Sequence, residues 1–217
     1  MRNIAVIGLG NIATRHRRNL KLLFPEAKVI VMSASGRIPE GPVSDSDHIA
    51  ESIDKIVELG VQFVIIASPA PFHAQHAIPF IQAGIPVLIE KPVSVTQKDA
   101  QALIDAEVKY QTPVAVGYCL RYLPSAQKVR QMVQESVIGN LYNVFIEIGQ
   151  YLPDWRPAKD YRETVSARAG LGGGVLLELS HELDYAQWIL GTLIPRYVIL
   201  RSSEELGLEV EYNADLL

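Results

Sequence analysis

Two glycines, two residues apart, mark the stretch of this chain best suited to chemistry: Gly8-Leu9-Gly10-Asn11-Ile12-Ala13, set between the apolar run Ile4–Ile7 and a helical pattern. A residue without a Cβ at Gly8 permits a tight turn, one at Gly10 lets backbone approach a pyrophosphate, and Ala13 is small enough for helix–strand packing. A helix opening at Asn11 and Ile12 would direct free N–H groups and a partial positive charge at that phosphate. The spacing alone is weak, and a ligand-free glycine turn is the competing reading; a strand before it and a helix after it make it specific. The next apolar run, Val29–Met32, leads into Ser33-Ala34-Ser35-Gly36-Arg37. No Asp or Glu is there to hold a free ribose 2′-hydroxyl. Hydroxyls at Ser33 and Ser35 with the Arg37 guanidinium suit a 2′-phosphate, so NADP is expected ahead of NAD. A solvated loop arginine is the alternative.

Other groups carry weaker signals. Trp155, Arg156, Tyr161 and Arg162 suit a sugar or an anionic substrate through stacking and paired hydrogen bonds, although a surface loop with chance aromatics reads similarly. The basic residues Arg15, His16, Arg17, Arg18 and Lys21 read as the solvated face of the first helix. Cys119 is the sole cysteine; it has no intramolecular partner and no nucleophile signature, and reads as a small packed residue in a reducing compartment.

The elements that must position these residues alternate along the first half of the chain. Strand runs at 4–7, 29–32, 63–67, 87–89 and 114–116 are separated by helical patterns at 11–23, 49–59, 72–83 and 100–108. That rhythm predicts a doubly wound parallel α/β sheet. After Tyr122 it changes: a helix around 129–137, a strand over 142–148, a polar loop at 152–169, a helix opened by Gly172-Gly173-Gly174 and running to Leu190, and strands near 197–200 and 208–212. A three-stranded sheet ending at Leu217 would leave an edge to be covered, so the chain reads as cut short. The 217 residues are 48% hydrophobic and 20% charged, an ordinary globular balance that excludes a disordered chain. The net charge of −4 argues against a nucleic-acid partner, and no run is long enough for a membrane span. A cytoplasmic location is expected.

Taken together, GLGNIATRH, ASPAPFHAQHAIPFIQAGIPVLIEKP, VGYCLRYLPSAQKVR and GGGVLLELSHELDYAQWILG resemble, in this order, the glucose–fructose oxidoreductase, inositol dehydrogenase and rhizopine-catabolism oxidoreductases. The stretch YLPDWRPAKDYRE is similar to a subgroup acting on sugars or nucleotide sugars. The resemblance implies a Rossmann domain over 1–121, then over 122–217 a partial α/β domain with an open, mostly antiparallel sheet that also serves as a homo-oligomer contact. It implies cofactor contacts at Ser68, Pro69, His73 and Glu90, with Glu90 near the nicotinamide ribose; His76, three residues after His73 and with no third metal ligand nearby, reads as a surface residue. It places Lys91 beside the nicotinamide and the reacting carbon, with Pro92 fixing the turn, and Arg121 and Tyr122 with the substrate. His181 would face Lys91, and Asp184 would share its helical face.

These roles make chemical sense together. Moving a hydride between nicotinamide and a sugar hydroxyl carbon needs a base near neutrality, for which histidine is suited, and an ammonium to steady alkoxide charge. A carboxylate could set the imidazole tautomer. No metal is expected, because His73 and His76 lack a third ligand. Two positions depart from the family pattern: Glu178 stands three residues before His181 where an Asp four before is common, and Cys119 replaces an Asn or Gln. The alternative to an enzyme is a non-catalytic dinucleotide-binding or regulatory protein.

Overall fold

Unbroken runs of Ile, Val and Ala build strands when helices cover both faces of a sheet, and the first half of the chain obeys this rule. The computed structural model describes residues 1–155, 157 and 160–217. They form two compact units, Met1–Gly117 and Tyr118–Leu217.

In the first unit, strands β1 (Asn3–Ile7), β2 (Lys28–Met32), β3 (His48–Ile49), β4 (Phe63–Ile66), β5 (Val87–Ile89) and β6 (Val114–Val116) form one sheet in the order β3-β2-β1-β4-β5-β6. Every pairing is parallel; Ile4 stands opposite both Val29 and Phe63. The connections are α1 (Asn11–Leu23), α2 (Ile53–Glu58), α3 (His73–Gln82) and α4 (Gln97–Tyr110). Because strand side chains alternate faces, β1 feeds two cores. Ala5 and Ile7 join Ala74, Phe80 and Leu103 from α3 and α4. Ile4 and Val6 join Ala13 and Leu20 from α1. The expected helix over 49–59 begins later, at Ile53. Ser52 caps it by accepting from the Lys55 N–H at 3.2 Å, and Ile49 instead pairs with Val31 in β3.

The second unit holds α5 (Pro124–Gln134), α6 (Leu152–Trp155), α7 (Val175–Glu178), α8 (Ser180–Leu190), and an antiparallel pair, β7 (Val198–Arg201) and β8 (Asn213–Leu216). Three expectations are corrected here. The run 142–148 is not hydrogen-bonded into a sheet; β7 and β8 pair with each other, and Tyr142 and Phe145 stand 93% and 81% exposed. The last strand is 213–216 and not 208–212, because the main chain there is used elsewhere: the Glu209 N–H donates to Ala167 O and Glu211 O accepts from the Val175 N–H. The helix after the glycines is two helices, broken at Leu179 (φ −102°, ψ 29°). Among the described residues no helix is long and apolar enough to cross a membrane.

Candidate functional site

The two glycines after β1 do different work. Gly8 has φ +113°, and a Cβ there would lie 2.4 Å from Ala67 O and 2.9 Å from Ser68 N. Only glycine allows that backbone and lets the end of β4 close over the turn. Gly10 is ordinary extended backbone (φ −74°, ψ −176°), and a Cβ on it would meet nothing within 4 Å. The space is open at the N-terminus of a 13-residue helix that has no side-chain cap and no acidic residue in its first turn. Helix geometry leaves the first N–H groups there without intrahelical acceptors. Open space, directed donors and a positive helix end fit a pyrophosphate. Behind them Ala13 is fully buried among Ile4, Val6 and Ala67.

At the end of β2, Ser33 Oγ and Ser35 Oγ lie 3.1 Å apart, and the Gly36 N–H donates to Ser33 O at 3.0 Å with φ +74°. This turn carries Arg37 into solvent, and its guanidinium makes no ion pair among the described residues. The loop beyond is fastened to α1. Arg17 Nε donates to Ser44 O at 2.8 Å, and Lys21 Nζ meets Asp47 Oδ2 at 2.5 Å, an oxygen that also accepts from the Val29 N–H. Arg17 is 2% exposed, and burial lowers its pKa against the opposing pull of Asp45. The basic face of α1 is therefore not a solvated one: Arg15 and Arg18 face water, whereas Arg17 and Lys21 clasp the loop and His16 reaches Glu90.

Two histidines at the start of α3 order the loops around this end of the sheet. His73 is buried, with Nε2 2.8 Å from Ser68 O and Nδ1 3.0 Å from Pro92 O, so it ties the loop after β4 to the turn after β5. Burial lowers its pKa, and the carbonyl contacts raise it in part. His76, expected at the surface, is 5% exposed, and its Nδ1 is 2.9 Å from Ser68 Oγ. Burial, then the neighbouring His73, lower its pKa.

Glu90, directly after β5, receives His16 Nε2 on Oε1 at 2.6 Å and the Lys91 N–H on Oε2 at 3.2 Å. Burial pushes its carboxyl up, but the His16 bond and charge, with the Lys91 N–H and charge, hold it below the usual range. Lys91 follows, half-buried, before a cis bond to Pro92.

In the second unit, α8 presents His181, Asp184 and Trp188 at helical three- and four-residue spacing, hence on one face. The His181 ring meets Tyr118 edge-on, centroids 5.6 Å apart. Arg121 holds Asp184 with two bonds, Nε to Oδ2 at 2.8 Å and Nη2 to Oδ1 at 2.5 Å, and this raises the Arg121 pKa. Both oxygens of Asp184 are thus engaged by Arg121. Arg130 stacks over Trp188 at 4.6 Å and donates to its carbonyl. Glu178 accepts from Ser166 Oγ at 3.0 Å. Two of the three glycines before α7 are held to that residue type, Gly173 by close backbone and Gly174 by its positive φ. A Cβ at Gly173 would lie 2.4 Å from Val165 O, and one at Gly174 (φ +105°) 2.5 Å from Glu211 Oε1, the oxygen that accepts from the Leu176 N–H.

Trp155 buries its indole Nε1 without a hydrogen-bond partner among the described residues. Tyr161 donates to Leu206 O at 3.0 Å, and the Arg162 guanidinium lies 5.2 Å from the Tyr161 ring centre. Arg156 lies outside the described residues. Tyr122 is exposed, and so is Cys119, which was expected to be packed. Sequence reasoning missed the linking roles of His16, Arg17 and Tyr118. Tyr118 lies within the VGYCLRY run but carries no spacing signal toward His181.

Residues 2–118 match the family described as oxidoreductase family, NAD-binding Rossmann fold, and residues 126–216 match the GFO/IDH/MocA C-terminal domain. The chain is 30% identical over 143 residues to the rhizopine catabolism protein MocA of Rhizobium meliloti, covering 65% of this chain and 42% of that one. It is 27% identical over 208 residues to an inositol 2-dehydrogenase of Streptomyces avermitilis, covering 91% and 56%. The chain therefore spans about half the length of these curated relatives. Among solved structures, the WlbA dehydrogenase of Chromobacterium violaceum, in complex with NADH and UDP-GlcNAcA, superposes with a TM-score of 0.79 at 22% identity, over 98% of this chain and 62% of that one. That likeness shows the fold. The family match, covering the strand, glycine turn and helix described above, shows that the chain belongs to the oxidoreductase family with the NAD-binding Rossmann fold.

Proposed function

We propose that this chain is the cofactor-binding and part of the substrate-binding portion of an NAD(P)-dependent dehydrogenase acting on a hydroxyl carbon of a sugar or nucleotide sugar. The observation that carries this reading is the open cradle at Gly10 in front of α1, formed by a turn that only glycine can make at Gly8. Bound there, the dinucleotide supplies a hydride acceptor or donor. Gly8, Gly10, Asn11 and Ile12 hold the pyrophosphate, while Ser68, Pro69 and His73 shape the wall of the site, His73 through the two loops it joins. Ser33, Ser35 and Arg37, which has no ion pair among the described residues, receive a 2′-phosphate, which favours NADP over NAD.

Lys91 steadies the charge that develops on the substrate oxygen, and His181 takes or returns its proton. Asp184 acts by orienting Arg121, whose guanidinium is then presented with Tyr122 to an anionic or polyol substrate. Trp155, Arg156, Tyr161 and Arg162 add further groups that stack on, or donate to, such a substrate. The sugar class is supported by two relatives, an inositol 2-dehydrogenase and a dehydrogenase whose structure holds UDP-GlcNAcA. A cytoplasmic homo-oligomer joined through the second unit completes the proposal; the exposed apolar run around Tyr142 and Phe145 supports such a contact.

Fluorescence titration with NADPH and NADH, followed by a turnover screen of inositols, sugars and nucleotide sugars, tests this reading. NADPH is expected to bind about tenfold to a hundredfold more tightly, the worth of one phosphate–guanidinium pair. Equal affinities or an NADH preference contradict the NADP assignment, and dinucleotide binding with no turnover of any substrate contradicts the dehydrogenase.

A further inference from the structure

The contact between His16 and Glu90 joins two parts of the first unit that sequence holds 74 residues apart. His16 lies on α1, the helix that leaves β1, and Glu90 lies just past β5. In the sheet β4 stands between β1 and β5, so with strands ~4.8 Å apart the pair bridges on the order of 10 Å at the carboxyl ends. The strand order reverses between β1 and β4, where open α/β sheets take their ligands. The pair thus crosses the crevice in which a dinucleotide would lie.

The contact is short and enclosed: 2.6 Å, with side-chain exposures of 18% and 14%. Glu90 is also confined on its other sides. Its Oε2 accepts from the Lys91 N–H at 3.2 Å, and just past β6 a Cβ at Gly117 would stand 3.3 Å from both carboxylate oxygens. The carboxylate is therefore set by α1, by its own turn and by the backbone just past β6 together.

We propose that His16 is a positioning residue: by holding Glu90 across the β1/β4 reversal, it fixes the backbone of the turn that carries Lys91. The functional consequence rests on the reading of Lys91 as a residue that serves hydride transfer. A histidine on α1, away from the helix end that meets the phosphates, then aims the lysine turn. Removing the imidazole leaves an enclosed carboxylate short of a donor. It must turn toward water or take up a proton, and either change slackens its hold on the Lys91 N–H.

Among the described residues, the titratable groups facing Glu90 are His16 from α1, Lys91 from its own turn and His73 from the start of α3, while Gly117, just past β6, packs against it without a side chain. Burial raises the Glu90 pKa, and His16 is the largest of the influences that lower it. Loss of His16 accordingly moves the Glu90 midpoint up.

NMR of the whole chain tests the proposal without turnover, comparing wild type, His16→Ala and His16→Gln by carboxyl titration of Glu90 and amide exchange at Lys91. In His16→Ala the Glu90 midpoint is expected to rise by about one pH unit or more, and Lys91 amide exchange to quicken about tenfold or more. His16→Gln keeps an uncharged donor and should fall between the two. Unchanged Glu90 titration or unchanged Lys91 exchange in a folded His16→Ala protein overturns the proposal. In turnover, His16→Ala should lower kcat about tenfold to a hundredfold while NADPH affinity stays within a few-fold. It should also move the acid limb of the pH profile upward, with partial recovery in His16→Gln. A kcat equal to wild type, where Lys91→Ala is impaired, overturns the positioning role. Absence of turnover in wild type itself counts against the dehydrogenase reading alone, and the two NMR measurements then decide the role of His16.

Discussion

The two units build their candidate sites by opposite means. In the first, the backbone makes the site: a glycine turn closed by β4, an uncapped helix end and open space at Gly10. In the second, side chains make it: Arg121 gripping Asp184 with two hydrogen bonds and Tyr118 edge-on to His181. The sheets differ in the same sense. The first is six parallel strands with a core on each face, whereas the second is a two-stranded pair whose Val198 and Leu200 stay exposed. A backbone-built site tolerates side-chain change except where a Cβ must be absent, because its donors are main-chain N–H groups. A side-chain site fails at single truncations. Binding of a common cofactor suits the first design, and discrimination among substrates suits the second.

The sharpest way to break this contrast is to remove the proposed reacting groups. Lys91→Ala and His181→Ala should each lower turnover by on the order of 10²–10⁴-fold, the worth of a positioned acid or base, with dinucleotide affinity within a few-fold. If either variant loses affinity in step with turnover, binding and chemistry are not divided as described. Next in size is Gly8→Ala. A Cβ 2.4 Å from Ala67 O at φ +113° should destabilise the first unit by roughly 3 kcal/mol or more in urea unfolding. The matched Gly10→Ala change, with nothing within 4 Å, should cost no more than about 1 kcal/mol, as expected of an N-cap exchange. Similar losses from both would mean that the glycines are not doing different work.

The smallest effect belongs to the side-chain site. Asp184→Asn keeps the shape but removes the charge that Arg121 faces. Because Arg121 is partly in water, the cost should be only about 1 kcal/mol, shrinking further in high salt. Turnover on an anionic substrate should suffer more than turnover on a neutral one. Equal losses on both would assign the pair to structure alone.

Much of the first unit is legible in its sequence because its signals are local. Ile4–Ile7 is a continuous apolar run, Gly8 and Gly10 bracket a turn, and α1 ends before Pro25. What escaped reading was long-range. His16 stands 74 residues from Glu90 and Arg121 stands 63 from Asp184, and no periodicity reports such a pairing. The basic run on α1 looks solvated in sequence, yet Arg17 is buried because the loop carrying Ser44 folds back on it. In the second unit the alternation over 142–148 signals a strand, but alternation specifies a face and not a partner, and β7 pairs with β8 instead. Likewise 208–212 has strand-like residues whose main-chain groups are drawn to Ala167 and Val175.

Cofactor titration of Gly10→Val beside wild type bears most directly on the backbone-built site. The valine would fill the open space in front of α1 without touching the core. Wild type should bind NADPH, and the variant, folded with no more than about 1 kcal/mol lost in urea unfolding as expected of an N-cap exchange, should bind it roughly a hundredfold or more weakly. Unchanged affinity in the folded variant would contradict a pyrophosphate site at this turn.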